Sequence, residues 1–221
     1  MPSVISPAWT TPPQMLSKRQ VAQIDSNTIE AVNINSPLLF DMFRNISPDH
    51  KKVVLDISQA NSGSLEHYSD YWCKLYLTNT INEFCSFQQS SVNTPHKWHR
   101  TLVKTMGFYK NDKTDLDILL LWGLPNYLNA DQLKGLISYL LPQCSAKAQL
   151  HIYVFNSEIM LEKPANYCIL KNKVSIHQQQ LSKEINCPMY NLNDLQKYLS
   201  PFKLDHSVML SSGIQEYVFR L

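Results

Sequence analysis

Three predominantly apolar runs stand out along this chain: Val53 to Ile57 with only Asp56 polar, Leu116 to Trp122 with only Asp117 polar, and Ala148 to Phe155 with Gln149 and His151 polar. Short runs of this kind predict strands covered on both faces, as in a parallel sheet. The segment 116–122 is too apolar for an exposed edge and is expected at the centre. A further strand is predicted over 73–78, where Cys73 to Thr78 follows a turn and a helical stretch, 64–71, to make a compact strand–helix–strand unit. Between these runs the period changes. Leu38, Leu39, Met42 and Phe43 share one helical face, as do Trp98, Leu102 and Met106, and Leu192, Leu195 and Leu199. Leu133, Leu136, Ile137, Leu140 and Leu141 follow the same rule. Here Asn129 and Gln132 have capping-box spacing, Leu128 and Leu133 form a staple across it, and Pro142 ends the segment.

The last sixteen residues place two strand-like runs around Ser211, Ser212 and Gly213, which predicts an antiparallel hairpin. Two stretches are harder to read. Residues 80–114 yield a helix from Pro95 but no third strand. Residues 156–190, with Pro164, three consecutive glutamines and Pro188, read as a long polar connection, partly structured and lying over the ligand edge of the sheet. The alternation of strands and helices predicts an α/β class: a doubly wound, mostly parallel sheet with a C-terminal antiparallel hairpin, in one domain over residues 31–221. Residues 1–30 carry four prolines and little periodicity, and read as a flexible N-terminal arm. Trp9 within it anchors on another surface or packs back on its own domain.

Composition narrows the function classes. The chain has 221 residues, 44% hydrophobic and 17% charged, and a formal charge of +2, without the concentrated basic surface that marks nucleic-acid binders. Five cysteines, odd in number and with no C-x-x-C, suit free thiols in a reducing compartment. With no secretory leader pattern and no apolar window of membrane length, the expectation is a cytoplasmic protein that neither spans a membrane nor binds nucleic acid.

An apolar strand ending in Asp56, followed by a turn of small residues from Ser58 to Ser64, is where open α/β sheets build a ligand site. Together VVLDIS at 53–58, LDILLLWGLPNYL at 116–128 and VMLSSGIQEYVFRL at 208–221 resemble the class I S-adenosylmethionine-dependent methyltransferases. The resemblance spans roughly residues 35–221 and implies a Rossmann-like fold with S-adenosylmethionine as cofactor. Asp56 then matches the acidic residue at the end of the first strand. Ser58, Ala60 and Ser62 stand where the family has its glycine-rich turn, with Gly63 displaced by one. Asn79 is the nearest match to the acidic residue that holds the ribose hydroxyls. At the fourth strand the resemblance puts Trp122 beside the cofactor, with Asn126 and Tyr127 as substrate contacts; a core role for Trp122 is the competing reading.

A side chain in place of glycine costs about 1 to 2 kcal/mol where left-handed backbone is needed. Losing a carboxylate for a ribose diol removes a charge-assisted bond, and together these changes exceed about 3 kcal/mol, more than a hundredfold in affinity. The departures therefore imply an eroded site with weak or absent cofactor binding, in a protein acting through protein partners. The alternative is an active methyltransferase with an unconventional turn, acting on a small molecule or a protein; methyl transfer needs little beyond alignment, so a missing acid–base pair decides nothing. A third reading is an adaptor docking through its arm. His96 and His99, three apart, make only half a zinc site, and neither a hydrolase elbow nor a P-loop is present.

Overall fold

The computed structural model describes residues 29–46, 49–88, 94–107, 114–179 and 182–221. Trp9 and residues 1–28 of the expected arm lie outside the described residues. In chain order the elements are β1 (Ile29–Ile34), α1 (Pro37–Arg44), β2 (Lys52–Asp56), α2 (Ser62–Ser69), β3 (Cys73–Leu77), α3 (Ile81–Gln88), α4 (Pro95–Met106), β4 (Leu116–Trp122) and α5 (Ala130–Leu140). There follow β5 (Cys144–Phe155), β6 (Ile159–Leu161), β7 (Asn166–Ile169), β8 (Val174–Gln179), β9 (Glu184–Asn186), α6 (Leu192–Tyr198), β10 (Lys203–Met209) and β11 (Ile214–Arg220).

The main sheet has six strands in the order β10-β11-β5-β4-β2-β3. The apolar runs read from the sequence occupy its middle: β4 lies between β2 and β5 with every residue buried except Asp117. Asp117 is the polar exception because its carboxylate ties three strands, accepting from Val53 N at 3.0 Å, Lys52 Nζ at 3.3 Å and Ser145 Oγ at 3.0 Å. Strands β3, β2, β4 and β5 are parallel, and β11 enters antiparallel between β5 and β10, as the terminal hairpin predicted. The crossovers β2–α2–β3 and β4–α5–β5 leave the β2/β4 pair in opposite directions, so right-handed connections put α2 and α5 on opposite faces. This is the doubly wound, Rossmann-like arrangement. Rings of Phe43 in α1 and His67 in α2, 4.9 Å apart, join the helices of one layer, while α4, α5 and α6 pack in series in the other.

Two regions hold more structure than the sequence pattern assigned. Residues 81–88 form α3, and among the described residues no strand stands between α3 and α4, so β3 is the edge of the main sheet. The connection 156–190, expected to be partly structured, holds β6 to β9, of which β7 and β8 form a hairpin completed into a three-stranded sheet by β1. β1 escaped notice because its partner, β8, lies more than 130 residues away in sequence, and local patterning carries no trace of so remote a pairing.

Candidate functional site

The order of the main sheet reverses between β2 and β4, and the crevice beyond their carboxyl ends is where such sheets take ligands. Asp56 ends β2 and Trp122 ends β4. A bulge positions the tryptophan: Leu120 pairs with His151 and Trp122 with Ile152, so two steps along β4 match one along β5. Trp122 also has φ of 50°, left-handed backbone that a bulky residue rarely adopts. The result turns its indole onto Asp56, with Nε1 donating to Oδ1 at 2.6 Å. The same carboxylate accepts from Tyr68 Oη at 2.6 Å and from Ser58 N at 2.8 Å. Asp56 and Trp122 are both 0% exposed. Asp56 is thus fully engaged by its own chain, and burial followed by the Asp56 charge pushes the Tyr68 phenol well above its ordinary range.

The turn after β2 meets the β7–β8 hairpin. Asn61 caps α2, its Oδ1 accepting from Ser64 N at 2.8 Å, while its Nδ2 donates to the Tyr167 carbonyl at 2.9 Å. Ser64 Oγ accepts from Ile169 N at 2.9 Å, so α2 holds the hairpin backbone at two points across one turn. Gly63 packs directly beneath: a Cβ there would lie 2.7 Å from Cys168 Sγ and 3.1 Å from the Ile169 carbonyl. The one glycine left in this turn admits the chain's own backbone. On the far side, the Tyr167 ring stacks on Trp122 with centroids 4.8 Å apart and planes within 10°. Its hydroxyl takes a backbone hydrogen bond from Gly123, where a Cβ would come within 2.5 Å of that oxygen. Burial pushes the Tyr167 phenol up, so it stays protonated in this slot.

In this arrangement the chain's own β7–β8 hairpin lies against the turn after β2. Side chains and backbone of Cys168 to Leu170 pack over the turn, the Ser64 amide meets Asn61 Oδ1, and the Asn61 and Ser64 side chains bond the hairpin backbone. The other expected site residues scatter. Ser58 is buried, Ala60 and Ser62 are exposed, and Asn79 is exposed at the end of β3 with φ of 49°. Asn126, expected to touch substrate, is 0% exposed; it donates to the Gly123 and Tyr153 carbonyls at 2.9 and 3.0 Å and accepts from Phe155 N at 2.8 Å. Tyr127 is buried too and donates to the Leu161 carbonyl at 3.0 Å, anchoring the end of β6. Sequence reasoning missed Tyr68 and Tyr167. A signal for the second existed: the apolar runs 167–170 and 174–176 flank Lys171-Asn172-Lys173, a short hairpin pattern.

Among the described residues no group of three or more His, Cys, Asp or Glu residues could hold a metal ion, and His96 and His99 are exposed on α4. All five cysteines are free, and burial raises the thiols of Cys73, Cys85, Cys144 and Cys187. No described helix is long and apolar enough to cross a membrane.

No protein-family model matches the sequence, and no curated protein matches it. Among solved structures the chain is similar to a protein from Pyrococcus horikoshii OT3 at 9% identity, covering 92% of each chain with a TM-score of 0.47. It is also similar to an S-adenosylmethionine-dependent methyltransferase from Methanosarcina mazei, at 10% identity, 83% of this chain, 96% of that one and a TM-score of 0.45. A third is the 1,6-didemethyltoxoflavin-N1-methyltransferase of Burkholderia thailandensis, solved with 1,6-didemethyltoxoflavin and S-adenosylhomocysteine bound, at 12% identity, 78% and 72% coverage and a TM-score of 0.42.

Proposed function

We propose that this chain keeps a methyltransferase-like fold whose cofactor crevice has been given over to its own β7–β8 hairpin, and that it works through protein contacts with weak or no binding of S-adenosylmethionine. The observation that carries this reading is the Trp122–Tyr167 stack at 4.8 Å, sealed by the hydrogen bonds of Asn61 and Ser64 to the hairpin backbone. A planar ring held face-on against a buried indole occupies the kind of slot a nucleobase would need. Admitting a nucleotide would break the stack and two backbone hydrogen bonds together. Such a chain acts by what its surface touches, and the exposed Val32, Trp72 and Ile159 are apolar side chains available for a partner to cover.

Calorimetric titration of the full chain with S-adenosylmethionine and S-adenosylhomocysteine tests this. The expected result is no saturable heat in the micromolar range, and a micromolar Kd for either nucleotide would overturn it.

The rival reading, an active methyltransferase on a small molecule or protein, draws on one observation. Asn79 stays exposed just beyond the carboxyl end of β3 with the left-handed backbone common at functional sites. It requires β7 to leave the crevice, so S-adenosylhomocysteine should then speed hydrogen exchange at the Ile169 amide. Unchanged exchange at that amide in saturating nucleotide would dispose of it.

A further inference from the structure

The main sheet stops at β3, and the register of that strand fixes which of its backbone groups turn outward. Lys52 N donates to the Trp72 carbonyl at 3.0 Å and Thr78 N to the Asp56 carbonyl at 3.1 Å, so the parallel ladder to β2 uses Trp72, Lys74, Tyr76 and Thr78. Cys73, Leu75 and Leu77 therefore face away from the sheet. Cys73 N is already taken by the Tyr71 carbonyl at 2.9 Å. The Cys73 carbonyl and both backbone groups of Leu75 and Leu77 have no hydrogen-bond partner among the described residues. The side chains leave this edge open too. Leu75, Tyr76 and Leu77 are half-buried, and Trp72, directly before the strand, is 54% exposed. Lys74, the one charge on β3, lies back over the Tyr76 ring with Nζ 4.7 Å from its centroid.

An apolar edge with a row of free backbone groups is a template for another strand. We propose that β3 pairs antiparallel with β3 of a second copy of this chain about a two-fold axis at Leu75, joining two six-stranded sheets into one. In that register each Leu75 gives and takes a hydrogen bond with its counterpart, and each Leu77 N–H reaches the partner's Cys73 carbonyl. Both outward donors of the strand are thereby satisfied, and the Cys73 N–H, held by Tyr71, is not called on. The charges point to a second copy as well. Lys74 falls directly opposite the partner's Tyr76, so the ammonium that lies over its own tyrosine meets a second aromatic face. Centring the pair on Lys74 would instead set two ammonium groups against each other. This pairing is remote from the Trp122–Tyr167 stack and does not depend on how the crevice is read.

Sedimentation equilibrium and backbone hydrogen exchange on the full chain test this. The expected results are a monomer–dimer equilibrium and exchange at the Leu75 and Leu77 amides that slows as protein concentration rises. Leu75→Pro removes an outward donor and leaves the ladder to β2 whole, since proline is tolerated on the outer side of an edge strand. It should weaken the dimer about tenfold or more. Lys74→Glu, at an exposed side chain, sets a carboxylate against the partner's Tyr76 ring and should weaken it about tenfold, while Lys74→Arg should preserve it. A chain that stays monomeric at every concentration would overturn the proposal, as would Leu75 exchange that is already slow in the monomer, because the chain's own residues would then cover the edge. Undiminished dimerisation of a folded Leu75→Pro or Lys74→Glu protein would overturn it too. Should Leu75→Pro fail to fold, the contrast between Lys74→Glu and Lys74→Arg decides alone.

Discussion

At the residue scale, a side chain's role depends on what reaches it, and the sequence shows only its near neighbours. Asp56 sits where a ligand-binding acid belongs, yet its three hydrogen bonds come from residues 2, 12 and 66 positions away. Only the nearest of those is visible in a local pattern. His67 shows the converse, an unremarkable residue made consequential by its surroundings. It is 6% exposed among the rings of Phe40, Phe43, Tyr68 and Tyr71, and its Nε2 lacks a partner among the described residues. Burial lowers its pKa, against an opposing pull from Asp70. In the unfolded chain the imidazole takes up its proton near 6.5, while in the folded protein it remains neutral to lower pH. Stability from this group is therefore present above pH 6.5 and declines as pH falls from there towards the folded-state value. Chemical denaturation at pH 8 and pH 5.5 should show this loss in the wild type and a smaller one in His67→Phe. Equal losses would mean that His67 is not the group responsible.

At the element scale, helices were easier to foresee than the strand pairings they support. The capping box at Asn129 and Gln132 closes as its spacing predicted, because both partners lie within one turn and need nothing from elsewhere. The cap of α2 is different in kind. Asn61 bonds Ser64 N within its helix, and its amide also reaches Tyr167, 106 residues on. The two caps should therefore differ in effect. Asn129→Ala should lower stability by about 1 kcal/mol, the usual loss for a cap. Asn61→Ala should lower it by about 2 kcal/mol, since a hydrogen bond holding β7 goes with the cap. Urea midpoints of the two variants compare them directly, and equal losses would show that the tie to the hairpin contributes nothing measurable. The hairpin itself was overlooked because β7 and β8 are short and amid glutamines and lysines, and β7 packs on α2 and Trp122 while β8 pairs with the remote β1.

At the scale of the whole molecule, the ends of the described chain are tied through one buried carboxylate. Glu216 in β11 is 0% exposed; its Oε1 accepts from Ser36 Oγ, from Leu39 N at 3.0 Å and from His151 Nε2 at 2.9 Å, while Tyr153 Oη lies 2.7 Å from Ser36 Oγ. The first turn of α1 thus docks on the sheet by giving its free amides to an anion. Burial pushes the Glu216 carboxyl up, but the bond and charge of His151, then Ser36 and Leu39, outweigh it and hold the group below its ordinary 4.5. Its contribution is present above that value and lost as pH falls through the lowered folded-state pKa. Glu216→Ala should cost about 3 kcal/mol or more by stranding several buried donors, with α1 amides losing hydrogen-exchange protection first. Retained protection in α1 would refute the docking role. The sequence by itself determined the apolar strands, the helical faces, the local caps and the closing hairpin, because each depends on neighbours a few residues away. Only the tertiary structure decided what fills the crevice, since Trp122, Tyr167, Asn61 and Asp56 meet through contacts that span up to about a hundred residues and leave no periodic mark on the chain.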